Sequence, residues 1–282
     1  MLFNPKKAER EPWEMFFIGL LYAGLSVLIV DFMFAEDTVL SNYLGVLVVT
    51  FSVMFSLPFM YYLIKYEEEK DLKYSGMVRI LEENSKAIRA RLWRLLGFIV
   101  ACSVGHIALP TNNTLEAQIE TYCSINQPRT FDSCLREYGI GEKSPKITSY
   151  SSKERAINIF SNNMIVLIIT LLFSLVFGAG AIFILAWNAS VIAAAIGIFT
   201  EYSLIKIPYG LLRYMIHGIP EIGAYIIVAL AGGIVGTAII RHDADGDKFW
   251  DIVQDSLNLI ILAIIVLVAA ALIEVYITPI II

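Results

Sequence analysis

Charge is scarce in this chain. Of its 282 residues 17% are charged and 57% hydrophobic, where soluble domains average about 25% and 45–50%. That imbalance argues against a water-soluble enzyme and assigns the apolar excess to a membrane. Histidine is scarcer still. His106, His217 and His242 are the 3 present, so a three-histidine metal site would have to join distant segments. No HExxH, GxSxG, Walker A or CxxC motif occurs. Basic charge is also short: 21 Lys+Arg against 26 Asp+Glu leave a net −5, which argues against a nucleic-acid binder with a concentrated basic face. No Gly/Ser/Pro-rich linker divides the chain. These absences predict one non-enzymatic membrane domain over residues 1–282, with no cofactor and no metal.

What is present is long apolar runs. A span through ~30 Å of hydrocarbon needs about 20 apolar residues, because a helix satisfies its own backbone hydrogen bonds there. Runs from Glu14 to Phe34, Val39 to Leu63, Leu92 to Leu109, Met164 to Leu185, Ile222 to Ile240 and Leu257 to Ile277 meet that need. The predicted fold class is all-α, a polytopic helical bundle of about six spans. The first run is read as a retained anchor, since no small-residue cleavage site follows it.

Residues 186–220 are less regular. Asn188 to Phe199 is short for a span, and Pro208, Gly210, Gly218 and Pro220 follow it. Each can break a helix, so the sequence predicts broken or re-entrant helices between the fourth and fifth spans, packed among the others. Ala189, Ala193 and Gly197 recur every fourth residue, as do Gly232 and Gly236, a spacing that allows close helix approach.

Basic residues set the orientation. Lys65, Lys70, Lys73, Arg79, Lys86, Arg89, Arg91 and Arg94 crowd one connecting segment, and Lys6, Lys7 and Arg10 lie in the N-terminal tail. Both are expected in the cytoplasm, with residues 110–162 outside. If the irregular region returns to its own side, the loop from Arg241 to Ser256 is also outside and the C-terminus inside. Within the basic segment, residues 65–91 read as an amphipathic arm with Met77, Ile80, Leu81 and Ile88 on one stripe. It is either a solvated or headgroup-lying connector or a docking site for a partner.

The outer segment holds Cys123 and Cys134, while Cys102 lies inside a span. Two cysteines in one exported loop are expected to pair, which contributes about 3 kcal/mol in the chain-entropy picture. Asn112-Asn113-Thr114 is a formal glycosylation sequon on the same side. In the loop HDADGDKFWDIVQD, Asp243, Asp245, Asp247, Asp251 and Asp255 partly match a calcium loop, but the glycine is misplaced and the terminal Glu is missing. An acidic helix start accounts for them without a metal.

Ionisable groups in the apolar region are the candidates for function, since burying one in hydrocarbon costs several kcal/mol. They are Glu201, Lys206, Arg213, His217, Glu221 and Glu274, with Asn162, Asn163, Trp187 and Asn188 as uncharged polar neighbours. Two readings follow: a structural polar network, or a path for an ion, a proton or a small solute.

Three segments, FGAGAIFILAWNASVIAAAIG, HGIPEIGAYIIVALAGGIVG and ALIEVYITP, resemble the signature segments of the stage II sporulation protein M family. PWEMFFIG and KYEEEKD resemble its archaeal members. The resemblance implies an integral membrane protein which, in sporulating bacteria, holds peptidoglycan-degrading partners in a complex. It implies no catalytic residue. For an archaeal-type chain the membrane fold and the polar positions Trp187, Asn188, His217, Glu221 and Glu274 carry over. The expected function is therefore a multi-pass scaffold in the cell membrane. Its partners would be the lipid bilayer and copies of itself or other membrane proteins, with no nucleic acid. A channel or transporter using the polar cluster is the alternative.

Overall fold

The computed structural model describes residues 10–71, 76–109, 114–126, 131–137, 152–177, 181–240 and 247–281, and no strand occurs among them. A 3-10 turn, Pro12–Glu14, leads into α1 (Met15–Phe34), and a second, Leu40–Tyr43, into α2 (Leu44–Asp71). Then follow α3 (Met77–Ala108), the short helices α4 (Glu116–Asn126) and α5 (Phe131–Glu137), α6 (Ser152–Phe177) and α7 (Ala181–Phe199). A turn at Leu204–Lys206 opens α8 (Ile207–Ile240). The chain ends with α9 (Asp247–Leu272), a π-helical turn at Ile273–Ile277 and α10 (Thr278–Ile281).

Six of these segments are long and apolar enough to cross a membrane: Pro12–Phe34, Leu40–Pro58, Lys153–Val176, Ala181–Phe199, Leu204–Ile240 and Phe249–Ile281. Their outward faces carry exposed apolar side chains such as Phe17, Leu28, Leu172, Leu212 and Ile265. That surface suits a bilayer as solvent, where the backbone is satisfied inside each helix and apolar side chains face lipid. The fold is an all-α polytopic bundle.

Hydrophobic burial gives helices in lipid little reason to associate, so close backbone approach has to. Gly19 and Gly97 supply it between α1 and α3. A Cβ on Gly19 would collide with the Arg94 carbonyl, and one on Gly97 with the Phe16 carbonyl. Gly105 meets Val27 two turns further on, so the two helices run in the same direction. Between α6 and α8, a Cβ on Gly232 would lie 2.9 Å from the Leu171 carbonyl, and Gly236 abuts that of Leu175. Ser174 ties the same pair by donating its hydroxyl to the Ala229 carbonyl. On α7, Ala189 and Ala193 have no exposed surface, and Gly197 lies against the His106 ring.

Three sequence expectations are corrected. First, the run Met164 to Leu185 straddles two helices, α6 and α7, and α7 is a separate 19-residue span candidate. Second, the expected breaks at Pro208, Gly210, Gly218 and Pro220 do not occur, because all four lie inside α8. Pro208 falls in the first turn, where its missing N–H is not needed, and Gly210 packs on Thr200 and Ile196. The chain reverses instead at Glu201 and Tyr202, whose φ angles are 52° and 56°. The Tyr202 N–H closes the end of α7 on the Gly197 carbonyl at 3.0 Å, a Schellman-type stop made without glycine. Third, Leu92 to Leu109, expected as a span, is not among the six: it is the second half of a 32-residue helix whose charged first half continues it without a break.

The polar ends are also rearranged. Gly76 (φ 95°) starts α3, and its N–H donates to Asp255 Oδ2 of α9 at 2.6 Å. Ile80, with Met77 and Leu81 beside it, packs on Leu230, Ile234, Leu259 and Ile252. The stripe of the arm is thus covered by the chain's own helices and is not a free docking face. The same contacts put the start of α9, the described part of the segment from Arg241 to Ser256, at the arm end of the bundle and not opposite it. Val275 packs near Ile159 and Ile125, the latter on the cysteine-bearing α4. The C-terminus therefore lies at the disulfide end, opposite the arm. Asn112, Asn113, Asp243 and Asp245 lie outside the described residues.

Candidate functional site

Helix α8 presents Tyr214, His217, Glu221 and Tyr225 at spacings of three and four, a single stripe of polar groups in an apolar helix. The stripe faces inward: His217 is 7% exposed and Tyr225 has no exposed surface. Tyr225 donates its hydroxyl to Glu221 Oε1 at 3.0 Å. Glu274 arrives from the π-helical turn, and its carboxylate and that of Glu221 act on one another electrostatically. The π turn has a cause in the sequence. Pro279 lacks the N–H that the Val275 carbonyl would receive in a regular helix, and a wider turn accommodates the gap.

His217 is held by Thr278, whose Oγ1 lies 3.4 Å from Nδ1. The single hydroxyl proton of Thr278 goes to the Ile273 carbonyl at 3.1 Å. Its oxygen is then left to accept, which assigns the proton to His217 Nδ1 and leaves Nε2 as an acceptor. The cluster extends to the disulfide. Cys123 and Cys134 are joined, with Cα atoms 5.7 Å apart, and the neighbouring Tyr122 shares a hydrogen bond with Tyr214. Positive charge comes from Arg155 on α6, which acts on Glu274 and His217, and from Arg213. The Arg213 guanidinium lies 4.7 Å from the Phe199 ring centroid.

Of the positions expected from the sequence, His217, Glu221 and Glu274 come together. Trp187 and Asn188 sit elsewhere on α7: Asn188 donates to the Ile184 carbonyl at 3.0 Å, and Trp187 packs against the main core. Asn162 donates to Asn163 at 3.2 Å on α6. Glu201 and Lys206 pair with each other in an exposed turn, so the apolar run containing them does not bury them. The Lys206 hydrogen bond holds the Glu201 carboxyl below its usual range. The tyrosines, Thr278 and Arg155 were not singled out from the sequence. The spacing of Tyr214 and Tyr225 around His217 and Glu221 was the signal for two of them. Among the described residues, no group of three or more His, Cys, Asp or Glu could hold a metal ion.

A helical bundle with an apolar exterior and a bridged polar network inside defines a polytopic membrane protein. The pattern of the Stage II sporulation protein M family matches residues 92–279, and the chain belongs to that family. It is also similar to an uncharacterized protein of Methanocaldococcus jannaschii, 34% identical over 127 residues, which are 43% of this chain and 70% of that protein. No solved structure matches.

Proposed function

We propose that this protein is a non-enzymatic organiser of the cytoplasmic membrane, anchoring partner proteins and assembling with copies of itself or with other membrane proteins. The observation that carries the reading is the state of the polar network. Six of its groups are engaged in pairs, Tyr225 with Glu221, Thr278 with His217 and Tyr122 with Tyr214. Hydrogen-bonded buried pairs of this kind fix which helices pack together. Here they would brace α4, α8 and α10 into a fixed platform. Family membership supports the reading for the membrane part, since the resemblance implies anchoring of partners and no catalytic residue.

In this proposal the arm end faces the cytoplasm, because Arg79, Lys86, Arg89 and Arg91 are concentrated there. The disulfide end and the C-terminus then face outward, where a disulfide persists. Affinity purification from mild detergent should recover a defined membrane assembly. Recovery of the chain alone, together with normal envelope and division in a deletion strain, would overturn the proposal.

A second reading is favoured by one observation. Glu221 on α8 and Glu274 on the π-helical turn act on one another electrostatically, with His217 one turn from Glu221, an arrangement found in ion and proton paths. Purified protein in sealed vesicles would then carry a flux that Glu221→Gln reduces. Vesicles impermeable to a broad panel of ions and small solutes would remove this reading.

A further inference from the structure

Outside the network just described, α1, α2, α3 and α7 enclose a second polar place at the other end of the bundle. Arg94 is 6% exposed and its Nε has no hydrogen-bond partner among the described residues. Ser52 is 2% exposed, and its Oγ is likewise without a partner among the described residues. Both line one cavity of about 10 Å³ together with Gly19, Tyr22 and Ser56. Among the described residues, no carboxylate lines it. Arg91, one turn earlier, adds a second positive charge that acts on Arg94.

We propose that this cavity binds a single halide-sized monovalent anion, such as chloride, with Arg94 and Ser52 as its ligands. A desolvated guanidinium without a counter-ion is costly, so a built cavity with unfilled donors calls for an anion. The guanidinium has only N–H donors and the Ser52 hydroxyl is free to donate, whereas a cation would need acceptors. Size narrows the class further. The space is about that of one water, which admits a halide and rejects phosphate, sulfate or a carboxylate. Gly19 contributes by lacking a Cβ, which lets α1 close on the Arg94 carbonyl and seal that side.

The test is thermal unfolding of the purified full chain in detergent, with chloride replacing gluconate at constant ionic strength. The expected result is a saturable rise in midpoint of about 3–5 °C once chloride is tenfold above its Kd. Bromide should reproduce the rise and sulfate should not. Ser52→Ala should raise the half-saturating chloride concentration several-fold, and Arg94→Gln should abolish the dependence. Equal midpoints in chloride and gluconate would leave the cavity to a water molecule and overturn the proposal. So would a rise shared by sulfate or retained in Arg94→Gln, since either marks a general salt effect. Should Arg94→Gln fail to fold, crystals grown in bromide decide: an anomalous peak within hydrogen-bond distance of Arg94 supports the site, and its absence overturns it.

Discussion

Tyr225 donates to Glu221 from a position with no exposed surface. Replacing it by phenylalanine keeps the ring and removes the donor, so Tyr225→Phe is expected to destabilise by about 1–3 kcal/mol. Thermal unfolding in detergent measures it, and a midpoint equal to that of the parent would mean that Glu221 has another donor. Glycines offer a paired comparison on one helix. Gly19→Leu drives a side chain into the Arg94 carbonyl, whereas nothing lies within 4 Å of a Cβ at Gly24. The first substitution should cost about 1–3 kcal/mol or more through overpacking. Gly24→Ala should be neutral or stabilising, because alanine favours a helix over glycine. At this scale the sequence exposed the charged members of the site, His217, Glu221 and Glu274, since charge in an apolar run stands out. It hid Tyr122, Tyr225 and Thr278, because a tyrosine or threonine in such a run carries little cost and hence little signal. Arg94 was read only as one more basic residue of the connecting segment, since burial is a property of its neighbours Gly19 and Ser52.

Between α1 and α2 the chain turns through Asp37, whose Oδ1 accepts the N–H groups of Val39 and Leu40, both at 2.8 Å. These bonds favour the carboxylate and hold Asp37 below its ordinary range. A depressed folded-state value means that the stabilisation is present above the unfolded carboxylate pKa and disappears as pH falls through the folded one. Acid should therefore loosen the Leu40–Tyr43 turn. Hydrogen-exchange protection of the Val39 and Leu40 amides, corrected for intrinsic rates, should drop in acid, and Asp37→Ala should remove the pH dependence. At the other polar element, the Cys123–Cys134 bridge joins α4 to α5. Its reduction should lower stability by about 3 kcal/mol in the chain-entropy picture. Cys102 has no exposed surface and should resist thiol reagents until the protein unfolds. Helix existence was legible from the apolar runs. The boundary between α6 and α7, and the turn at Glu201 and Tyr202, were not. In the second case no glycine or proline marks the left-handed residues, while the prolines and glycines that looked like breakers serve packing and a helix start.

For the whole molecule, the testable consequence is the order of the ends. The end of α6, the start of α7, the end of α8 and the start of α9 lie with the arm, whereas the Leu40–Tyr43 turn, the disulfide helices, Glu201 and the C-terminal turn lie at the opposite end. Single cysteines at Asp251 and Ile280, both exposed, should label from opposite faces in sealed vesicles, with Asp251→Cys on the same face as Lys86→Cys. Labelling of Asp251→Cys and Ile280→Cys from one face would refute this arrangement. Hydrophobicity alone determined that the chain is a helical membrane protein, because a helix in hydrocarbon satisfies its backbone locally and each run announces itself. Which helices pair, which end each loop occupies, and which polar groups meet depended on contacts between distant residues. Gly76 with Asp255, Gly19 with Arg94, and Thr278 with His217 are separated in sequence and joined by packing, so only the tertiary structure decided them.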